Sequence, residues 1–155
     1  MFKKILIVIL LILLLTFSFI AWHKNKVKTS QDELVVEFIG TFYQIDKEEM
    51  IREKLDAYAN VLENKYLKYF ANEEFERLVR NRVFYLNQEC LNENGISCKL
   101  VDLKYNRNNL EYKYNVSIEF TDKEGKKTIR NAEGYIRLNN SSVIEYSVLG
   151  LIEIE

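Results

Sequence analysis

The chain contains no proline and only five glycines in 155 residues. These two residue types most often mark linkers and low-complexity segments, so the sequence predicts no flexible tether between folded parts. A chain of this length with 13% aromatic and 29% charged residues fits one globular domain with its own core.

Histidine and cysteine are also scarce. His23 is the one histidine, and Cys90 and Cys98 are the two cysteines. A catalytic dyad or triad built on histidine is therefore excluded after His23, and no zinc-motif spacing is present. The phosphate-binding patterns G-x-x-x-x-G-K and G-x-G-x-x-G are absent as well. We predict that the protein is not an enzyme and has no catalytic, cofactor-binding or metal-binding residues, and no cofactor.

Two acidic pairs, Glu48-Glu49 and Glu73-Glu74, are the remaining candidates for acid–base chemistry. Adjacent residues on a helix do not face one site, and the first turn of a helix favours acids in any case. We interpret both pairs as helix starts.

A long apolar run lies near the amino terminus. Ile5–Trp22 carries no charge and follows Lys3-Lys4. At about 1.5 Å per residue such a helix nearly crosses a hydrocarbon core of roughly 30 Å. The alternative is a cleaved signal peptide, but its apolar run is shorter and ends in a small-x-small cleavage site. We predict a cytoplasmic tail over 1–4, an uncleaved anchor over 5–22 and a juxtamembrane linker over 23–29.

The lysines around this run leave the orientation open. Three of them (Lys24, Lys26 and Lys28) follow the run and two precede it. A plain positive-inside count places the following domain inside the cell, yet long domains translocate largely regardless of charge. Because a short, basic amino terminus is the usual form of a signal anchor, we expect residues 30–155 to be extracytoplasmic.

The charge after Lys28 is acidic, with 17 lysines and arginines against 23 aspartates and glutamates, a formal charge of −6. An acidic domain without a basic stripe is a poor ligand for a phosphate backbone. We therefore expect no direct binding of nucleic acid.

Three amphipathic helices are predicted after the anchor. Ser30 opens the first, because Ser30-Gln31-Asp32-Glu33 matches a capping box. Asp46 opens the second and Asn72 the third, which ends at Asn94-Gly95. Their apolar stripes are, in turn, Leu34, Val35, Phe38, Ile39, Phe42; Ile51, Leu55, Tyr58, Leu62, Tyr66; and Phe75, Leu78, Val79, Val83, Leu86, Cys90.

The period then changes from 3.6 to 2, which predicts strands. The clearest is Asn109–Phe120, where every even position is apolar or aromatic and every odd position is polar. The other predicted strands are Ile96–Tyr105, Lys127–Leu138 and Val143–Ile154, with turns at Arg107-Asn108-Asn109, Asp122–Gly125 and Asn139–Ser142. Helices followed by strands predict an α+β fold with about three helices on one face of a four-stranded antiparallel sheet.

Cys90 and Cys98 flank the predicted turn between helix and sheet. In an extracytoplasmic domain they would close a short loop as a disulfide. The alternative is a pair of buried thiols, since cysteine packs as a small apolar side chain.

Two surfaces are candidates for a partner. One is the polar face of the predicted sheet, carrying Glu111, Lys113, Asn115 and Glu119; a plain solvated face is the alternative. The other is the last strand, Val143–Ile154, if its outer edge is free to pair with another chain.

The order of one span, helices and then a curved antiparallel sheet resembles the nuclear-transport-factor-two-like (cystatin-like) fold. It is similar in particular to single-span scaffold subunits of type IV secretion systems and Gram-positive conjugation channels. The resemblance implies a non-enzymatic scaffold or assembly subunit of a bacterial cell-envelope complex, held in the membrane by 5–22 and contacting other subunits or itself. The alternative is an extracytoplasmic module that binds a small molecule or peptide in the cone between helices and sheet.

Overall fold

The computed structural model describes the backbone of residues 2–46, 55–85 and 95–151. Side chains are described within 25–45, 60–85 and 97–151, together with Thr16 and Ser18. The chain divides into two compact units, Met1–Val36 and Glu37–Glu155, and the second unit contains the whole sheet.

The first helix, α1, is longer than the sequence predicts. It runs without a break over Phe2–Tyr43, so no helix begins at Ser30. Thr29 shows the continuity locally, because its hydroxyl donates to the backbone oxygen of Asn25 one turn earlier at 3.0 Å. Ser30 does not cap a helix N-terminus, because the preceding helical turn already supplies acceptors for the backbone N–H groups of the residues that follow.

Among the residues whose side chains are described, no helix is long and apolar enough to cross a membrane. The side chains of the run Ile5–Trp22 lie outside those residues, apart from Thr16 and Ser18. The membrane anchor therefore stays a prediction.

Helices α2 and α3 follow α1 within the described residues. Helix α2 spans Leu55–Tyr66 and passes into a 3₁₀ turn over Leu67–Tyr69. Helix α3 spans Asn72–Arg80, as predicted for its start, with Glu73 and Glu74 in its first turn. Ile45–Asp46 forms a short strand, β1, and residues 47–54, over which the helix predicted from Asp46 would begin, lie outside the described residues. The sequence predicts that the third helix continues to Asn94, but α3 ends at Arg80 and a turn follows over residues 81–82; residues 86–94 lie outside the described residues.

The sheet is an antiparallel meander in the order β1-β2-β3-β4-β5. After β1, its long strands are β2 over Gly95–Asn108, β3 over Glu111–Asp122 and β4 over Lys127–Leu138, and the last strand is β5 over Ile144–Val148. The α+β class and the four predicted antiparallel strands are confirmed, with β1 as a two-residue addition.

The core of the second unit lies between the helices and one face of this sheet. The helical side is mainly aromatic: Phe38, Phe42, Tyr43, Leu62, Tyr66, Tyr69, Phe70, Phe75, Leu78 and Phe84 are all buried. The sheet contributes Tyr112, Tyr114, Val116, Ile118, Phe120, Ile136, Leu138 and Ile144. Neighbouring rings meet mostly edge to face or tilted, as Phe38 and Phe70 do at 4.9 Å, while Tyr66 stacks on Phe84 at 4.5 Å.

The last strand differs from its prediction. A bulge between Arg137 and Leu138 of β4 changes the register against β5. Ile144 is buried, but Tyr146 and Val148 are 40% and 52% exposed, and Ser147 turns inward instead. The even positions of this strand therefore do not share one face. A bulge adds one residue to one strand of a pair, so the alternation of side chains reverses beyond it.

Candidate functional site

The predicted polar face is present on the side of the sheet away from the aromatic core. Along β3 the side chains alternate between exposed and buried, and Glu111, Lys113 and Asn115 are exposed. Antiparallel pairing places Arg137, Tyr135 and Glu133 of β4 beside these three residues in turn. We call this surface the polar face.

Charges of both signs alternate on the polar face and pair across strands. Glu119 accepts from the ammonium of Lys127 at 2.8 Å, and Ser117 donates to Asn131 at 2.9 Å. Apolar side chains lie among them, with Ile129 59% exposed. Exposed pairs of this kind contribute little to stability. The structure places the four predicted residues on one surface.

A buried carboxylate lies where α3 meets β5. Glu74 is 4% exposed and receives two hydrogen bonds from the guanidinium of Arg77, at 2.6 and 2.8 Å. The hydroxyl of Ser147 donates to the same carboxylate at 2.6 Å, and Arg77 also donates to the backbone oxygen of Ser147 at 2.7 Å. The hydrogen bonds to Glu74 raise the pKa of Arg77 further above its usual value.

This cluster holds the sheet and does not resemble a reactive centre. Three donors occupy the carboxylate of Glu74, so its oxygens are already committed to partners inside the protein. A bidentate arginine–carboxylate pair fixes geometry as well as charge. The cluster therefore fastens α3 to the outer side of β5.

The sequence did not reveal this role of Glu74. Acidic residues in a first helical turn are common, so Glu73 and Glu74 look equivalent in the sequence. In the structure Glu73 is exposed, whereas Glu74 is buried against Ser147, 73 residues further along the chain. The one local signal is the spacing of Glu74 and Arg77, which places them on the same side of a helix.

A second buried polar group joins α1 to the end of the chain. The hydroxyl of Tyr43 donates to the backbone oxygen of Gly150 at 2.7 Å and lies 3.2 Å from the hydroxyl of Tyr114. Tyr114 in turn covers Gly134 of β4, where an added Cβ atom would lie 2.2 Å from the Tyr114 hydroxyl oxygen. Gly134 thus leaves room for the aromatic ring of the neighbouring strand.

Burial dominates the ionisation of this tyrosine pair. Loss of contact with water raises the pKa of Tyr114 to about 12 and raises the pKa of Tyr43 even further above its usual value. Both hydroxyls therefore remain neutral at physiological pH. They act as hydrogen-bonding groups and not as bases.

A groove of about 330 Å³ lies between α2 and α3. Its lining is Glu63, Leu67, Asn72, Phe75, Glu76, Val79 and Arg80. The floor is apolar and the rim charged, but the groove lies between helices and not in the cone between helices and sheet. The described residues between helices and sheet are buried and apolar, and aromatic rings of the helical side pack against one another.

Neither the cysteines nor the other potential metal ligands form a candidate site among the described residues. Cys98 is buried at 2% exposure, and Cys90 lies outside the described residues, so the disulfide stays a prediction. Within the described ranges, no group of three or more histidine, cysteine or acidic side chains is placed to hold a metal ion.

Comparison of the chain with protein-family models, curated proteins and solved structures gives no match. The structure itself has a general sheet-plus-helix arrangement. The resemblance to the nuclear-transport-factor-two-like fold and to secretion-channel scaffolds therefore stays a prediction.

Proposed function

We propose that this protein is a non-enzymatic, membrane-anchored assembly subunit of a bacterial cell-envelope complex, such as a conjugation or type IV secretion channel. Residues 5–22 form its single membrane span, and the domain that follows lies outside the cytoplasm. The observation that carries the proposal is the interior of the domain. Among the described residues, buried aromatic rings of the helical side pack against one another beside the sheet, in the region where a ligand-binding member of such a fold keeps a cavity.

The polar groups of the interior support the same proposal. Glu74 is held by Arg77 and Ser147, and Tyr43 is held by Gly150. The contacts with Ser147 and Gly150 join elements far apart in the chain. Such groups stabilise a rigid body whose function lies on its surface, and the polar face is the surface that we propose for contacts with other subunits.

The experiment has two parts, anchoring and contact. The full chain should remain in the membrane fraction after alkaline washing, and protease added to intact cells should remove the domain. Release of the full chain by the wash would contradict the anchor, and survival of the domain in intact cells but not in lysates would contradict the orientation.

Contact through the polar face is tested by charge reversal. Lys113→Glu and Glu119→Lys should change the pattern of crosslinks in the membrane, because charges on such a face fix register and orientation. The matched control is Lys123→Glu, which changes an exposed hairpin residue off this face. Folded variants with unchanged crosslinks would exclude the polar face as a contact surface.

The groove between α2 and α3 favours a second candidate, an extracytoplasmic module that binds a small molecule or a peptide side chain. Its apolar floor and a volume of about 330 Å³ fit one such group. The variant Val79→Trp would fill the groove. Ligands found by thermal shift with the unmodified chain should lose binding to this variant, and a screen without any such ligand would reject this candidate.

A further inference from the structure

The two sides of the sheet end differently: β5 is the last strand on one side, and on the other the two-residue strand β1 covers, among the described residues, only a small part of β2. One side of β2 pairs with β3 from Gly95 to Asn108. On its other side, among the described residues, only Ile45 and Asp46 pair with it, opposite Cys98 and Ser97. We call the outer side of β2 from Lys99 to Asn108 the open edge. A free strand edge offers a row of backbone donors and acceptors to another strand.

The outer side of β5, which we call the closed edge, is occupied. The backbone N–H of Ala71 donates to the oxygen of Ile144 at 2.8 Å, and Phe70 forms a parallel bridge there. Further along, Arg77 donates to the backbone oxygen of Ser147. The last strand is the end of the sheet, but its outer backbone groups are occupied at these positions. An incoming strand would have to displace α3 and the segment before it.

The open edge carries exposed apolar side chains beside charged ones. Val101 and Tyr105 are 57% and 39% exposed. Between them lie Asp102 and Lys104, which carry opposite charges on the same side of the strand, with their charged atoms 3.3 Å apart. Both charged side chains are more than half exposed, so they remain available to a partner.

We propose that the open edge pairs with the same edge of a second copy of this chain, antiparallel and about a two-fold axis through Leu103. The proposal rests on the assembly role proposed above and names a second copy as the partner. The two sheets then continue into one another across the pair of β2 strands. The pairing is centred on Asp102 to Lys104 of each chain and is flanked by Tyr105 and by Val101, which is the extra residue of the bulge between Leu100 and Asp102.

Charge complementarity selects this register. With the axis at Leu103, Asp102 lies opposite Lys104 of the second copy, and two-fold symmetry forms this pair twice. Val101 then lies opposite Tyr105 of the second copy, so that the exposed apolar side chains cover each other. Opposite residues on antiparallel strands share a face, and their side chains are close enough to interact.

Neighbouring registers are unfavourable for the same reason. Two-fold symmetry requires paired residues to lie on the same face of the sheet. The axis must therefore pass through a residue, and the neighbouring registers place it one residue earlier or later. An axis at Asp102 places Asp102 opposite itself, and an axis at Lys104 places Lys104 opposite itself. Like charges directly opposite each other destabilise a strand pair. The sequence of the open edge thus permits one of the three central registers.

A ladder this short gives weak association between free chains. Confinement to a membrane raises the local concentration, so a weak contact suffices there. The single substitutions Asp102→Lys and Lys104→Asp each turn two attractive pairs into two repulsive ones, and we expect each to weaken self-association of the full-length chain by about tenfold.

An equimolar mixture of the two single variants tests the contact between chains most directly. In the mixed pair every contact between chains again joins opposite charges, so association should return to the level of the unmodified chain. The contact within each chain between positions 102 and 104 stays broken in both variants, so recovery reports only the contact between chains. Sedimentation velocity in detergent measures all three samples, and circular dichroism checks that the variants fold.

Crosslinking tests the register in the same full-length chain, with Cys90→Ser and Cys98→Ala as background. Chains carrying Asp102→Cys and chains carrying Lys104→Cys should form disulfides with each other under mild oxidation, because opposite Cβ atoms lie within disulfide reach. Asp102→Cys mixed with Asn106→Cys is the off-register control and should crosslink far less. Equal yields for both mixtures, or no recovery in the charge experiment, would overturn the pairing. A pairing that forms in a chain released by alkaline washing would instead contradict the anchor alone.

Discussion

The closed edge and the open edge of the sheet differ in what satisfies their backbone groups. At the closed edge, Ala71 and Arg77 occupy carbonyl oxygens of β5, and a buried carboxylate fixes the arginine. At the open edge, a bulge, alternating charges and exposed apolar side chains remain beyond the short strand β1. The protein itself thus occupies outer backbone groups of β5, whereas no described strand lies on the outer side of β2 beyond β1.

The largest effect is expected at the closed edge itself. Glu74→Ala removes the buried partner of a partly exposed arginine, and breaking a fully buried pair costs about 3–5 kcal/mol. We expect the free energy of unfolding to fall by an amount near the lower end of that range, because the side chain of Arg77 is 38% exposed. The matched control is Glu73→Ala, one residue earlier and exposed, which should change it by less than about 0.5 kcal/mol. Denaturant unfolding measures both, and equal stabilities would show that the cluster does not hold β5.

A smaller loss is expected where the sheet leaves room for Tyr114. In Gly134→Ala the new Cβ atom would lie 2.3 Å from a ring carbon of Tyr114, so the buried ring must shift. Overpacking of this kind costs about 1–3 kcal/mol. Gly40→Ala is the control, because nothing lies within 4 Å of its added Cβ atom and alanine favours a helix. We expect opposite signs for the two variants, and a stabilising Gly134→Ala would contradict the packing.

Several features of the sheet and of α1 were predictable from the sequence. The strand Lys127–Leu138 has the predicted bounds, and the alternation along β3 is confirmed. Strict alternation over many residues specifies both a strand and its inward face. The apolar stripe of α1 at Phe38, Ile39 and Phe42 is buried as predicted, because apolar residues at helical spacing lie on one side of a helix.

Other features depend on contacts between distant residues and were missed. The bulge at Arg137 reverses the last strand, and the burial of Glu74 depends on Ser147. The predicted apolar stripe of the third helix included Val83, but the helix is interrupted after α3. Arg82 adopts a positive φ of 57° there, and Phe84 is buried. No local pattern in the sequence determines these features, so the sequence alone does not distinguish the closed edge from the open edge.

The buried tyrosine pair gives the stability of the fold a dependence on alkaline pH. The pKa of Tyr114 is raised to about 12 by burial, above an ordinary value of 10. The folded state therefore keeps its proton where the unfolded chain loses it, so stability is complete below pH 10 and falls as the pH rises towards 12. Tyr114→Phe should lower stability at neutral pH by about 1 kcal/mol and make this fall shallower. An unchanged slope in the variant would contradict the burial of its hydroxyl.

The smallest effect on folding is expected at the open edge. Val101 is 57% exposed, so Val101→Thr should change the free energy of unfolding by less than about 0.5 kcal/mol. The same substitution should weaken self-association, since Val101 covers Tyr105 of the second copy in the proposed pairing. A loss of more than about 1 kcal/mol in the dilute chain would show that Val101 belongs to the fold, which would contradict the openness of this edge.

Amide hydrogen exchange of the full-length chain at low and high concentration compares the two edges most directly. Outward N–H groups of β2 between Lys99 and Asn108 should exchange fast when dilute and slow down as the concentration rises, because a second strand then accepts their hydrogen bonds. Residues Ile144–Val148 should show the same protection at both concentrations. Protection that rises at β5, or that stays unchanged at β2, would contradict the assignment of an open and a closed edge.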